Sequence, residues 1–189
     1  MNDLTLDKLI KDIQSSNDTE RATARDAAGV VGAAAVLPLG EIAASGELEI
    51  ARAAKQAIQN IVYHAGRPGA KAEASAVAAE LLKLLDDSRP LQFRRDVLWM
   101  TWQIAGEEAV DPVAAMLADA DLNEDARMAL ERLPGQKATD ALRAALDAAD
   151  EAQKPALAHS LRVRGVEVPG VPDMRLVPTK QTSVKPVSR

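Results

Sequence analysis

The side chains able to do chemistry are few and scattered. His64 and Arg67 fall in Tyr63-His64-Ala65-Gly66-Arg67-Pro68-Gly69. Pro stiffens such a segment and Gly frees it, which suits presentation of an imidazole and a guanidinium to a ligand. The same residues also fit a helix end, with His64 near a helix C-terminus and Gly66 as its stop. Trp99 and Trp102 lie three apart, beside Phe93 and Met100. One or both could anchor a partner or stack on a base; equally, they could fill a core whose other side chains are small. Both cannot lie centrally on one stripe with Val97, Met100 and Ile104. Arg94 and Arg95 are candidates for a phosphate or an acidic partner.

Other chemistries find little support. The chain has two His and no Cys, which excludes disulfides, thiolate catalysis and Cys-based zinc sites. Two His without a nearby carboxylate cluster do not make a metal site. Glu107 and Glu108 are explained by the favourable field at a helix start. Asp111 recurs as Asp140 in a repeat, which points to a structural role. The expectation is therefore a chain with no catalytic residues, cofactor or metal. Partner contact is expected through His64, Arg67, Trp99, Trp102, Arg94 and Arg95.

The elements that must position these residues are helices. About one residue in five is Ala and aromatics make up 2% of the 189 residues, a composition for closely approaching helices rather than sheets. A frame G-x-x-A-x-D-x-(V/L)-x-A-x-L runs from Gly106 to Leu117 and again from Gly135 to Leu146, 29 residues on. Gly32 to Leu39 follows it without the Asp. Periodicity and turn residues predict helices near 4–14, 18–31, 34–44, 47–64, 70–86, 91–105, 107–118, 123–133, 137–149 and 151–163. A two-helix unit of this size cannot bury its apolar face alone, so units must stack and the ends need polar caps. The first helix, with Asp7, Lys8, Lys11 and Asp12, fits the N-terminal cap.

The Arg pair, apolar helix, Gly turn, G-x-x-A-V-x-P-(V/L) and closing Asp at residues 90–119 resemble the HEAT repeat. The resemblance covers roughly 18–165 and is weakest at 61–89. The 63–69 block and the tail Leu176-Val177-Pro178-Thr179-Lys180 resemble features of a bacterial HEAT-repeat subfamily. What this implies is an all-α superhelix of about five helix pairs, irregular at the second repeat, with a concave face lined by the second helix of each pair. It also implies that Arg94 and Arg95 pair with the acid closing a neighbouring repeat, Asp87, Asp119 or Asp121. HEAT proteins share no catalytic residues.

Two regions are expected: a solenoid over 1–165 and a Pro-rich, basic, extended tail over 166–189. The tail ends free, lies along the last helices, or docks on a partner through Met174, Leu176 and Val177. Residues 1–161 hold 17 Lys and Arg against 26 Asp and Glu, which disfavours nucleic acid. No signal sequence or membrane span is legible, so a cytoplasmic location is expected. The leading expectation is a non-catalytic scaffold that binds another protein. Behind it stand a nucleic-acid binder like the HEAT-like DNA glycosylases and an accessory subunit like the HEAT-like bilin lyases.

Overall fold

The computed structural model describes residues 4–172. Among these, every regular element is helical: α1 (Leu6–Ile13), α2 (Asp18–Ala27), α3 (Val36–Ser45), α4 (Leu48–Ala65), α5 (Lys71–Lys83), α6 (Leu91–Ile104), α7 (Val110–Ala115), α8 (Asn123–Arg132), α9 (Gln136–Ala148) and α10 (Lys154–Val163). Local chemistry sets several ends. Thr5 Oγ1 accepts the Lys8 amide at 3.3 Å, and Asn17 Oδ1 accepts those of Thr19 and Glu20 at 2.9 and 3.3 Å. Both satisfy amides that have no intrahelical partner.

Three segments depart from the expected pattern. The stretch 18–31 is helical only to Ala27, with 3-10 turns at Ala28–Val30 and Gly32–Ala35. Gly32 between those turns has φ +70°, a conformation no continuing helix contains. The stretch 107–118 is an α-helix only over Val110–Ala115, with a 3-10 turn on each side. Pro112 has no N–H to give the carbonyl four residues back, and the turn before it tightens. Finally, Tyr63 and His64 lie in the last turn of α4 rather than in a loop. Gly66 caps that helix with a right-handed φ of −76°, and the left-handed residue of the connection is Gly69 at φ +85°.

Helices two apart in the chain lie side by side. One row contains α2 on α4, α4 on α6, α6 on α8 and α8 on α10; a second pairs α3 with α5 and α7 with α9. Successive helices, such as α3 and α4 or α9 and α10, close the rows on each other. Residues at equal positions of the repeated frame are buried alike. The Ala three places after each Gly (Ala35, Ala109, Ala138) and the residue seven places after it (Leu39, Val113, Leu142) are all 0% exposed. The 29-residue offset also relates α6 to α8, since Phe93, Val97, Met100 and Thr101 are buried and so are Leu122, Ala126, Ala129 and Leu130.

Polar side chains join neighbours in the first row. Asn60 of α4 donates to the Arg25 carbonyl of α2 at 2.9 Å. Lys55 meets Asp96 at 2.7 Å, and Gln59 donates to Gln103 of α6 at 3.3 Å. The last two pairings ascend on both helices, so α4 and α6 run parallel. Arg127 of α8 donates to the buried Ser160 hydroxyl of α10 at 2.5 Å, which in turn donates to Glu131 at 2.8 Å.

The C-terminal end is closed by two arginines. Arg164 donates to the carbonyls of Leu130, Glu131 and Leu133 at 3.1, 3.0 and 2.6 Å, to Gly135 at 2.6 Å and to the Thr139 hydroxyl at 2.9 Å. One guanidinium thus satisfies the exposed carbonyls ending α8. Arg162 donates to the carbonyls of Val168, Val171 and Pro172 at 2.7, 2.5 and 3.2 Å. Val166 and Val168 pack on the core. Residues 166–172 therefore lie against α10, whereas Met174, Leu176 and Val177 fall outside the described residues.

Arg164→Ala is expected to destabilise the chain by about 2–3 kcal/mol, because it strands several carbonyls at once. Arg143→Ala, on the exposed side of α9, should stay within about 0.5 kcal/mol. Urea denaturation followed by circular dichroism measures both.

Candidate aromatic binding face on the first helix row

Helix α6 buries Phe93, Val97, Leu98, Met100 and Thr101. That stripe leaves Trp99 on the opposite arc, 52% exposed, with Trp102 half-buried against the core. The two indoles meet edge to face, their centroids 5.0 Å apart. The Arg132 guanidinium of α8 lies over the Trp102 ring, 5.2 Å from its centroid. Arg132 is itself held by the Met128 carbonyl at 2.9 Å and by Glu131 at 3.4 Å. Exposed Met128 adjoins this group. A Trp held in one orientation on a helix keeps little rotamer entropy to lose on contact, so it is suited to anchoring a partner.

Beside Trp99 a groove of about 790 Å³ runs across α2, α4 and α6. Ala22, Ala53 and Met100 contribute its apolar surface. Four cations line it, and each has a carboxylate: Arg21 with Asp18, Arg25 with Asp26 at 2.8 Å, Arg52 with Glu49 at 2.8 Å and Lys55 with Asp96 at 2.7 Å. Exposed pairs of this kind contribute little stability, up to about 1 kcal/mol. They can exchange partners cheaply when a second surface arrives.

The six residues expected at a site do not form one cluster. Trp99 and Trp102 are together. Arg94 donates to the Leu85 carbonyl at 3.1 Å and lies 3.6 Å from Asp119. Arg95 donates to the Asp121 carbonyl at 2.7 Å and lies 3.2 Å from Asp125. Both tie α6 to neighbouring segments. His64 packs over Gly29, where an added Cβ would sit 2.8 Å from the His64 Cβ. Arg67 is bound by Glu73 at 2.6 and 2.9 Å and by the His64 carbonyl at 2.6 Å. His64 and Arg67 line a separate shallow hollow with Val30 and Tyr63. Hydrogen bonding from Arg67 holds the Glu73 carboxyl below its ordinary range, with the positive charges of Arg67 and His64 adding to the effect.

Arg132 and Met128 were not among the expected site residues. The signal that points to Arg132 is the repeat itself, since the 29-residue offset carries Trp102 to Glu131, next to it. A second groove, of about 670 Å³, lies between α7 and α9 with mostly apolar walls. Among the described residues, no three His, Asp or Glu gather as a metal site. In comparisons with known proteins, no family model and no curated protein matches this chain.

Trp99→Ala should change stability by less than about 1 kcal/mol, because half of the ring is already in water. Trp102→Ala, which removes a ring packed on the core, should cost about 2–4 kcal/mol. Calorimetric melting of the two variants separates them. Arg67→Ala should raise the Glu73 titration back towards the ordinary carboxylate range, read by NMR of its side-chain carboxyl. The folded-state value lies below the unfolded one. The small stabilisation from this pair is therefore present above the ordinary range and lost as pH falls through the folded value.

Proposed function

We propose that this chain is a non-catalytic HEAT-like solenoid of about five helix pairs that holds another protein. The stacking of like helices supports the superhelical reading, as does the equal burial of residues 29 apart. The gripping surface in this proposal is the outer face of α2, α4, α6 and α8, the first helix of each pair. One observation carries it: Trp99 is 52% exposed while its orientation is set by Trp102, which Arg132 covers. The groove beside it offers paired charges and amides, a surface suited to a polypeptide with both charged and apolar side chains.

The nucleic-acid reading has less support, because each groove cation is already ion-paired and residues 1–161 are strongly acidic. An accessory catalytic role for Arg67 has less support too, since Glu73 and a backbone carbonyl occupy its guanidinium. No described helix is long and apolar enough to cross a membrane; the proposal takes the chain to act in the cytoplasm of a bacterium.

A photo-crosslinking residue placed at Gln56, in the groove, tests this in the native cell. The expected result is a discrete protein adduct that Trp99→Ala reduces at least about tenfold, as loss of a hot spot of ~1.4 kcal/mol or more would. A crosslinker at Arg143 should give none. Equal adducts from both positions, no effect of Trp99→Ala, or an adduct with nucleic acid would overturn the proposal.

A further inference from the structure

Helix α9 has 13 residues and its row neighbour α7 has six. After Ala115 the α7 segment tightens into a 3-10 turn and turns away at Asp119. The C-terminal half of α9 therefore lacks a helix of its own row beside it. The result is the groove of about 670 Å³, walled by Ala115, Leu117 and Ala118 on one side and by Ala141, Ala145 and Ala148 on the other. Leu157 of α10 adds to the wall. Apolar surface left in water is unfavourable by about 25 cal/mol per Å², so covering this groove is favourable.

Its border is acidic. Glu124 stands in the wall, Asp119 and Asp121 flank the wall residue Ala120, and Asp147 and Asp150 flank Ala148 and Ala149. The cation in the wall, Arg127, is taken up by Glu124 at 2.7 Å, by Ser160 at 2.5 Å and by Glu131 at 3.5 Å. Residues 114–157 hold nine Asp and Glu against five Lys and Arg.

The segment after Pro172 has the complementary composition. Residues 173–189 contain Arg175, Lys180, Lys185 and Arg189 against Asp173 alone, together with Met174, Leu176, Val177, Val184 and Val187. It also begins close by. Arg162 pins the carbonyls of Val168, Val171 and Pro172, and five residues earlier on the same helix Leu157 lies in the groove wall. Five residues of helix span about 7.5 Å, whereas 17 further residues reach up to ~55 Å when extended.

We propose that residues 173–189 of this chain occupy the α7–α9 groove, so that a basic, valine-containing segment closes the acidic apolar groove of its own molecule. The groove is then a peptide site with a resident occupant, separate from the tryptophan face. Failure of either proposal leaves the other standing.

The chain has no Cys, so Thr179→Cys gives a single attachment point for a nitroxide on the full-length protein. Amide signals of Ala115, Ala118, Ala144 and Ala148 should then be broadened severalfold more than that of Thr23 on α2, independently of protein concentration. Ala148→Arg, an exposed change at the end of α9 that adds bulk and positive charge, should largely relieve the broadening. The double variant Arg175→Glu, Lys180→Glu should relieve it too without touching the folded body, and so should high salt. Groove broadening no stronger than at Thr23 would overturn the proposal. So would broadening that survives both sets of substitutions, or broadening seen only when nitroxide-bearing chains are mixed with isotope-labelled ones, which would mean occupancy by a second copy.

Discussion

Everything else in this structure depends on helix α4 being buried along about half of its circumference, at 100° per residue. Ala53, Ala54, Ala57, Ile58, Ile61, Val62 and Ala65 are all buried, and the helix packs against α2, α3, α5 and α6. Four of those seven side chains are Ala, which is why so many helices can approach one at once. Larger residues there would overpack the contacts by about 1–3 kcal/mol each. At the edges of the stripe Lys55, Gln59 and Asn60 reach sideways to α6 and α2. The same helix therefore supplies the apolar adhesion and the polar pairings that set the register of its row.

That register is what builds the tryptophan face. Parallel stacking brings α8 beside α6 so that Arg132, 30 residues from Trp102, lies over its ring. Neither helix could orient Trp99 alone: it needs Trp102 beside it, and Trp102 needs the next unit above. The face is a property of the row rather than of any single helix, and so are the links from Arg95 to Asp121 and Asp125. At the C-terminal end Arg162 and Arg164 take the place of a further unit. They satisfy backbone carbonyls that a following helix pair would otherwise shelter.

Much of the fold is legible in the amino-acid pattern because burial follows the repeat. Ala109 and Ala138, or Val113 and Leu142, occupy equal positions of the frame and equal depths in the core. Helix number follows from the same periodicity. The departures are local backbone effects that periodicity does not report: Gly32 at positive φ, Pro112 breaking 107–118, and α4 running through Tyr63 and His64. The site was less legible. An apolar spacing says which side of α6 is inward, but not that Trp99 faces water while Trp102 packs against the core. Arg132 was missed, and Arg67 stood out although Glu73 occupies it, because both outcomes are set by contacts between segments.

Residue-resolved native-state hydrogen exchange tests the stacking most directly. The account expects amides of α4 around Ile58 and Ile61 to exchange only through global unfolding. Those of α1 and α10, each with neighbours on fewer sides, should open at lower free energy. Amides of α4 that exchange as readily as those of α1 would contradict it.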